Sequence, residues 1–321
     1  MKKNIKAISL ILIAVSMGAL AMSCGLSSFS GVLFSTHQLT LNNGTDGTVS
    51  VGGEYYVGEK VTVTVNPDPD YVFYGWEGEG DAIDDFYAES STKHSFSMPG
   101  EDIELTAQWL TIGDEGPAGG YIFYIDEANE FDWIGLEAAP EDIVVDGEET
   151  FQWGARGAEI GETDTVVGSG QANTTAIVDF IDSLHHTTTG ESYYAFDWEN
   201  LGGGVFPVGV YFTDGFNTYY FYEYNDGTVA AQECVELVLT HNGKTYDDWF
   251  LPSKDELNLM YVNLHDKGTG GFTEEDWYWS SSDTEGWDAW RQYFWNGDQS
   301  DDYKTYNLLV RAVRAFNQFS N

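Results

Sequence analysis

The sequence predicts an α+β fold in two units, richer in strand than in helix. Three observations predict it. Segments such as HQLTLNN, KVTVTVNP and DIELTAQW alternate apolar and polar residues, the period of a half-buried strand. Aromatic residues make up 16% of the chain, and 36 glycines stand against 7 prolines, a composition of strands and turns. Two segments, ANTTAIVDFIDSLHH and LPSKDELNLMYVNLH, carry helical spacing with a start signal.

The first 23 residues read as a secretory leader. MKKNIK is basic, AISLILIAVSMGALAM is apolar but short for a membrane span, and Ser23 precedes Cys24. LAMSC resembles a bacterial lipobox, with Ala21 where leucine is usual. That resemblance implies that Cys24 becomes the lipidated first residue, anchoring the protein to a membrane. Residues 24–36 then form a serine- and glycine-bearing tether.

Residues 37–109 make the first unit, with NGTDG and NPDPD as turns between its alternating strands. Its residues Gly58, Val61, Val63, Phe73, Gly75, Trp76, Phe96–Pro99, Leu105, Ala107 and Trp109 resemble the Listeria–Bacteroides, or divergent internalin B-type, repeat. The resemblance implies a small β-grasp-like module of bacterial surface proteins, used as a spacer.

TIGDEGPAGG, residues 111–120, is the predicted break, so residues 113–318 form a second folding unit. In its first helix Ile177, Phe180, Ile181 and Leu184 share a face, with Asn173 as the expected N-cap. In the second, Ser253 and Glu256 have capping-box spacing, and Leu257, Met260, Tyr261 and Leu264 share a face. YYFYEYN, TVAAQECVELVL, WYWSSS, AWRQYFW and LLVRAVRAF read as strands.

YDDWFLPSKDEL (246–257), GGF (270–272), YWSSS (278–282) and VRAVRAF (310–316), with GPAGGYIFY, LEAAPED and GSGQANTTAI upstream, closely resemble the C-terminal domain of the Legionella collagen-like protein family. The resemblance implies a C-type-lectin-like fold, with two helices flanking a twisted, mainly antiparallel sheet and the termini close together. It also implies extracellular binding or adhesion. Arg311 and Arg314 are expected in salt bridges with nearby acids.

Charge narrows the partners. The chain has 53 acidic and 13 basic side chains, a net of −40. Such a surface repels nucleic acid and anionic lipid headgroups. Cys234 is the one thiol besides Cys24, so no internal disulfide framework exists, and its apolar neighbours predict a buried, inert group. The sequence has no HExxH, no GxSxG and no EF-hand loop; Tyr222 and Tyr224 would hold the first two ligand positions around Asn225. The EPN and QPD loops of sugar-binding C-type lectins are absent, and Trp295-Asn296-Gly297 departs from WND at its last acid. A catalytic role and a cofactor are therefore not expected. Calcium is compatible with so acidic a chain but has no motif.

Four tryptophans, Trp279, Trp287, Trp290 and Trp295, fall within residues 279–295. Trp279 is the expected core residue. Rigid aromatics beside hydrogen-bonding groups suit a protein or glycan interface. The candidate ligand residues are Trp287, Trp290, Arg291, Tyr293, Trp295 and Asn296. The expected function is a lipid-anchored bacterial surface protein that presents its C-terminal domain to an extracellular protein or glycan. The alternatives are a structural or oligomerising envelope lipoprotein and, more remotely, a cryptic hydrolase.

Overall fold

The computed structural model describes residues 35–79, 92–154, 156–157, 160, 163–187, 194–196, 209–213, 218–222 and 229–317. Cys24, the expected leader and most of the expected tether lie outside them. Helix makes up 15% and strand 42%, in several sheets, so the α+β class stands in its coarse form.

The N-terminal unit holds β1 (Thr36–Asn42), β2 (Gly47–Val49), β3 (Gly53–Tyr56), β4 (Lys60–Pro67), β5 (Val72–Glu79), β6 (Lys93–Ser97) and β7 (Ile103–Leu110). They form two sheets, ordered β3-β1-β7-β5 and β2-β4-β6. The alternation works as the pleat requires: Val61, Val63 and Val65 point inward from β4, while Lys60, Thr62 and Asn66 do not. These valines meet Leu39, Phe73, Trp76, Met98, Ile103 and Leu105 in one core.

The C-terminal unit opens with β8 (Tyr121–Ile125), β9 (Gly135–Ala138) and β10 (Thr150–Gln152), then α1 (Gly170–Thr187). There follow β11 (Tyr194–Phe196), β12 (Gly209–Thr213), β13 (Thr218–Tyr222), α2 (Ala230–Glu236), β14 (Leu239–His241), β15 (Lys244–Tyr246) and α3 (Lys254–Asn263). The chain closes with β16 (Trp277–Glu285), β17 (Asp288–Tyr293), β18 (Gln299–Tyr303), β19 (Asn307–Leu309) and β20 (Val313–Phe316). The largest sheet runs β10-β19-β16-β17-β18. A second runs β20-β9-β8, so the last strand of the unit lies in one sheet with its first two.

Two local expectations are corrected. Asn173 does not cap α1, which starts at Gly170. Its side chain is fully buried, receiving from the Asp164 amide and donating to the Asp164 carbonyl and Ser281 Oγ. The segment read as the strand TVAAQECVELVL contains α2 instead. The small side chains Ala230, Ala231 and Cys234 let that short helix lie against the core, a tertiary preference that outweighs local β propensity. Cys234 is buried, and desolvation raises its thiol pKa well above normal.

The α3 capping box is present. Ser253 Oγ accepts from the Glu256 amide, and the Glu256 carboxylate accepts from the Ser253 amide at 2.7 Å. That carboxylate also accepts from the Gly168 amide at 2.7 Å, so one side chain ties the starts of α1 and α3 together. A Cβ at Gly170 would lie 2.2 Å from Glu256 Oε2, which is why a glycine begins α1. Burial dominates at Glu256 and raises its pKa to about 7, although the Ser253, Gly168 and Gly170 amides oppose the rise.

The two units meet. Tyr74 and Leu110 pack with Ile122 and Phe316 in a small shared cluster, and Tyr74 donates to the Asn317 carbonyl at 3.1 Å.

Candidate ligand-binding surfaces

The aromatic stretch is set on a β16–β17–β18 meander. Register places Trp277 and Trp279 opposite Tyr293 and Arg291, on one face of the sheet. Trp290 lies on the other face, opposite Asp301 of β18. The four tryptophans therefore have different fates. Trp279 is fully buried and donates to the Phe151 carbonyl at 3.0 Å. Trp290 is half-buried, with the Lys254 ammonium 3.7 Å from its ring centroid. Trp287 and Trp295 are 50% and 58% exposed, but they sit in the turns at opposite ends of β17. Six strand residues span about 20 Å at roughly 3.3 Å per residue, so these two rings do not form one surface.

The remaining candidates divide in the same way. Tyr293 stacks on Trp277 with centroids 4.9 Å apart, and the Arg291 guanidinium lies 3.8 Å from the Trp277 ring. Arg291 also pairs with Asp302 at 2.5 Å. Burial lowers the Arg291 pKa, and Asp302 works against that shift. Asn296 is engaged by its own turn, donating to Asp298 Oδ2 and accepting from the Asp298 amide.

At the Trp287 end the structure adds residues that sequence reasoning missed. Arg156 lies 3.8 Å from the Tyr303 centroid and 4.7 Å from that of Trp287. Tyr306 meets Tyr303 edge-on at 5.7 Å. The backbone fixes this ledge, because the Gly157 amide donates to the Gly286 carbonyl and the Lys304 amide to that of Trp287. Trp287, Tyr303 and Tyr306 are all exposed, and Asp288 stands beside them. Burial, then repulsion from Asp301, raises the Asp288 carboxyl pKa. Arg156 lies more than 120 residues before its ring partners, so no sequence window could have joined them.

The two terminal arginines have structural partners. Arg311 donates to Asp142 at 2.7 Å and to the Gly270 and Ala139 carbonyls. Arg314 bridges Asp248 and the fully buried Glu137. Burial raises the Glu137 pKa, and Arg314 offsets only part of that rise. No group of three or more acidic, His or Cys side chains that could hold a metal ion occurs among the described residues.

A second concavity, of about 430 Å³, lies where the two units meet. Its walls come from β5 and β7, the loop around Glu115–Pro117, the β14–β15 hairpin and the end of β20. Its residues span positions 74 to 317, so it was invisible to sequence reading.

Comparison with known proteins gives a partial placement. The family model for the divergent InlB B-repeat domain matches residues 37–113, in line with the resemblance seen in the sequence. No curated protein matches. Among solved structures the chain is similar to a fimbrial protein from Bacteroides ovatus ATCC 8483, at 11% identity, over 88% of this chain and 69% of that one, with a TM-score of 0.34.

Proposed function

We propose that the chain is a lipid-anchored bacterial surface protein that binds an extracellular ligand, protein or glycan, through its C-terminal domain. The observation that carries the reading is the Trp287–Arg156–Tyr303 ledge. Tryptophan, tyrosine and arginine are the side chains that dominate binding hot spots. Here they are pre-ordered against one another instead of being spent on the core. Their pairwise stacking lowers the entropy cost of docking.

Two further features support the setting. The B-repeat match belongs to residues 37–113, and modules of this kind are expected on bacterial surfaces. The Legionella collagen-like resemblance and its C-type-lectin-like fold are supported by α1 and α3 beside a mainly antiparallel sheet, and by β20 lying in one sheet with β8 and β9. No described helix is long and apolar enough to cross a membrane. The proposed anchor is Cys24, and two or more acyl chains hold far more firmly than one, at about 0.8 kcal/mol per buried CH₂. The reading requires neither catalysis nor a cofactor.

The experiment has two parts. Cys24→Ser should move the protein out of the detergent phase and abolish fatty-acid labelling; persistent labelling contradicts the anchor. A matrix-protein and glycan array probed with the protein should yield ligands whose binding falls at least tenfold in Trp287→Ala.

A further inference from the structure

We propose that the cleft between the β1–β7 module and the C-terminal domain is a binding site for a neutral saccharide. It is a separate site from the Trp287 ledge and shares no residue with it.

The first observation is shape and lining. At about 430 Å³ the cleft falls within the range of roughly 300–1,000 Å³ usual for small-ligand sites. Tyr74 and Trp109 come from the N-terminal module, Tyr246 and Phe316 from the C-terminal unit. Neither unit alone makes the site. The polar ends of two rings are already satisfied: Trp109 Nε1 donates to the Asn43 carbonyl at 2.6 Å, and the Tyr74 hydroxyl to the Asn317 carbonyl. Tyr74 and Phe316 are buried and form the floor, so the rings that can offer a ligand apolar surface are the half-buried Trp109 and Tyr246, which suits the C–H face of a sugar ring.

The second observation is the polar set. Gln108, Asn242 and His241 line the same space. Gln108 donates to Glu77 and Asn242 pairs with His241 Nε2, so the amides meet ligand hydroxyls through their carbonyl oxygens and second N–H groups. Gln108 is held on β7, and the β14–β15 hairpin places His241 and Asn242. Asn242 and Gly243 have φ of 48° and 79°, a turn with both central residues left-handed, and it joins β14 directly to β15. His241 is also seated against Gly119, where an added Cβ would lie 2.7 Å from Nδ1.

The third observation is charge. Arg314 is matched by Asp248 and Glu137, and Lys244 and Glu115 add one charge of each sign to the lining. The paired groups leave little net field for an ionic ligand. An anionic glycan would also have to approach a chain of net charge −40. A cationic peptide would find stronger attraction on the acidic surface outside the cleft. A neutral, hydroxyl-rich ring is the chemistry that remains.

The test uses the full-length protein and a printed panel of neutral gluco-, galacto-, manno- and N-acetylglucosamine-based oligosaccharides, with solution calorimetry on the strongest signal. Saturable binding that changes less than twofold between 0.1 and 1 M salt is expected. Tyr246→Ala and His241→Ala should each weaken it at least tenfold with an unchanged circular dichroism spectrum, and Val262→Ala, at an exposed position of α3 outside both sites, should leave it intact. If those variants misfold, Gln108→Ala at a half-buried position of β7 and Lys244→Met at an exposed lining position of β15 replace them, with a loss of at least threefold expected. The proposal is overturned by the absence of saturable binding to any neutral saccharide. It is equally overturned by binding that survives the cleft variants, or by binding confined to charged ligands and lost in salt.

Discussion

The ledge and the cleft are built in opposite ways. The tryptophans that suggested a binding surface are crowded in sequence and scattered in space: Trp279 is core, Trp290 is covered by Lys254, and Trp287 and Trp295 occupy opposite turns. The cleft residues are scattered in sequence and joined in space. Tyr74, Trp109, His241 and Phe316 span nearly the whole described chain yet line one concavity. Aromatic density along a strand thus reports alternation between two faces, whereas a site reports how elements meet. The cleft also gives the β1–β7 module more to do than the expected spacer, since it supplies one wall.

The sharpest way to break this comparison is to treat the four tryptophans as equivalent. Trp279→Ala should destabilise the C-terminal unit by about 3–5 kcal/mol, the usual cost of emptying a buried aromatic site. Trp287→Ala should stay within about 0.5–1 kcal/mol, as for exposed positions. Chemical denaturation of both variants checks it; similar losses would place Trp287 in the core.

A comparable effect is expected on the cleft side. Arg314→Met removes the partner of fully buried Glu137. Breaking such a pair costs about 3–5 kcal/mol, because a desolvated charge is left behind. Arg314→Met combined with Glu137→Gln should recover part of that loss in the same denaturation series.

Glu256 underlies α3, and through Lys254 the covered state of Trp290. Its folded pKa of about 7 stands above the ordinary carboxyl value of 4.5. The folded state therefore binds this proton more tightly than the unfolded chain. The contribution favours folding below about pH 4.5 and is lost as pH rises through 7. Relative to Glu256→Gln, the parent should lose on the order of 2–3 kcal/mol of stability between pH 4.5 and pH 8. Melts of the two proteins across that range measure the difference, and parallel curves would refute it. The smallest effect is expected for Ser253→Ala, at about 1 kcal/mol for a lost N-cap. It should also raise the mobility of Lys254 over Trp290, seen as a change in tryptophan emission.

How much was legible depended on whether a signal was local. The α3 cap was readable because Ser253 and Glu256 satisfy each other within one turn. The β4 and β7 faces were readable because one side of each is buried and the valines and leucines follow the pleat. Asn173 misled because its capping chemistry is used on the Asp164 loop and Ser281, contacts set by tertiary packing. The α2 segment misled because apolar residues dominate it, and only its packed surroundings choose helix. Trp287 was identified as a candidate from its neighbours. Arg156, which completes its ledge, and the cleft could not be, since both arise where distant segments are brought together.

The central claim is that the exposed ledge, and not the tryptophan-rich stretch as a whole, contacts an extracellular ligand. The most direct measurement is binding of the Trp287→Ala, Tyr303→Ala double variant to whichever protein or glycan the array identifies, set beside its thermal melt. Binding should fall at least tenfold while the melting temperature stays within about 2–4 °C of the parent, the shift that roughly 1 kcal/mol makes in a domain of this size. Unchanged binding, or binding lost only together with a collapsed melting temperature, would contradict it.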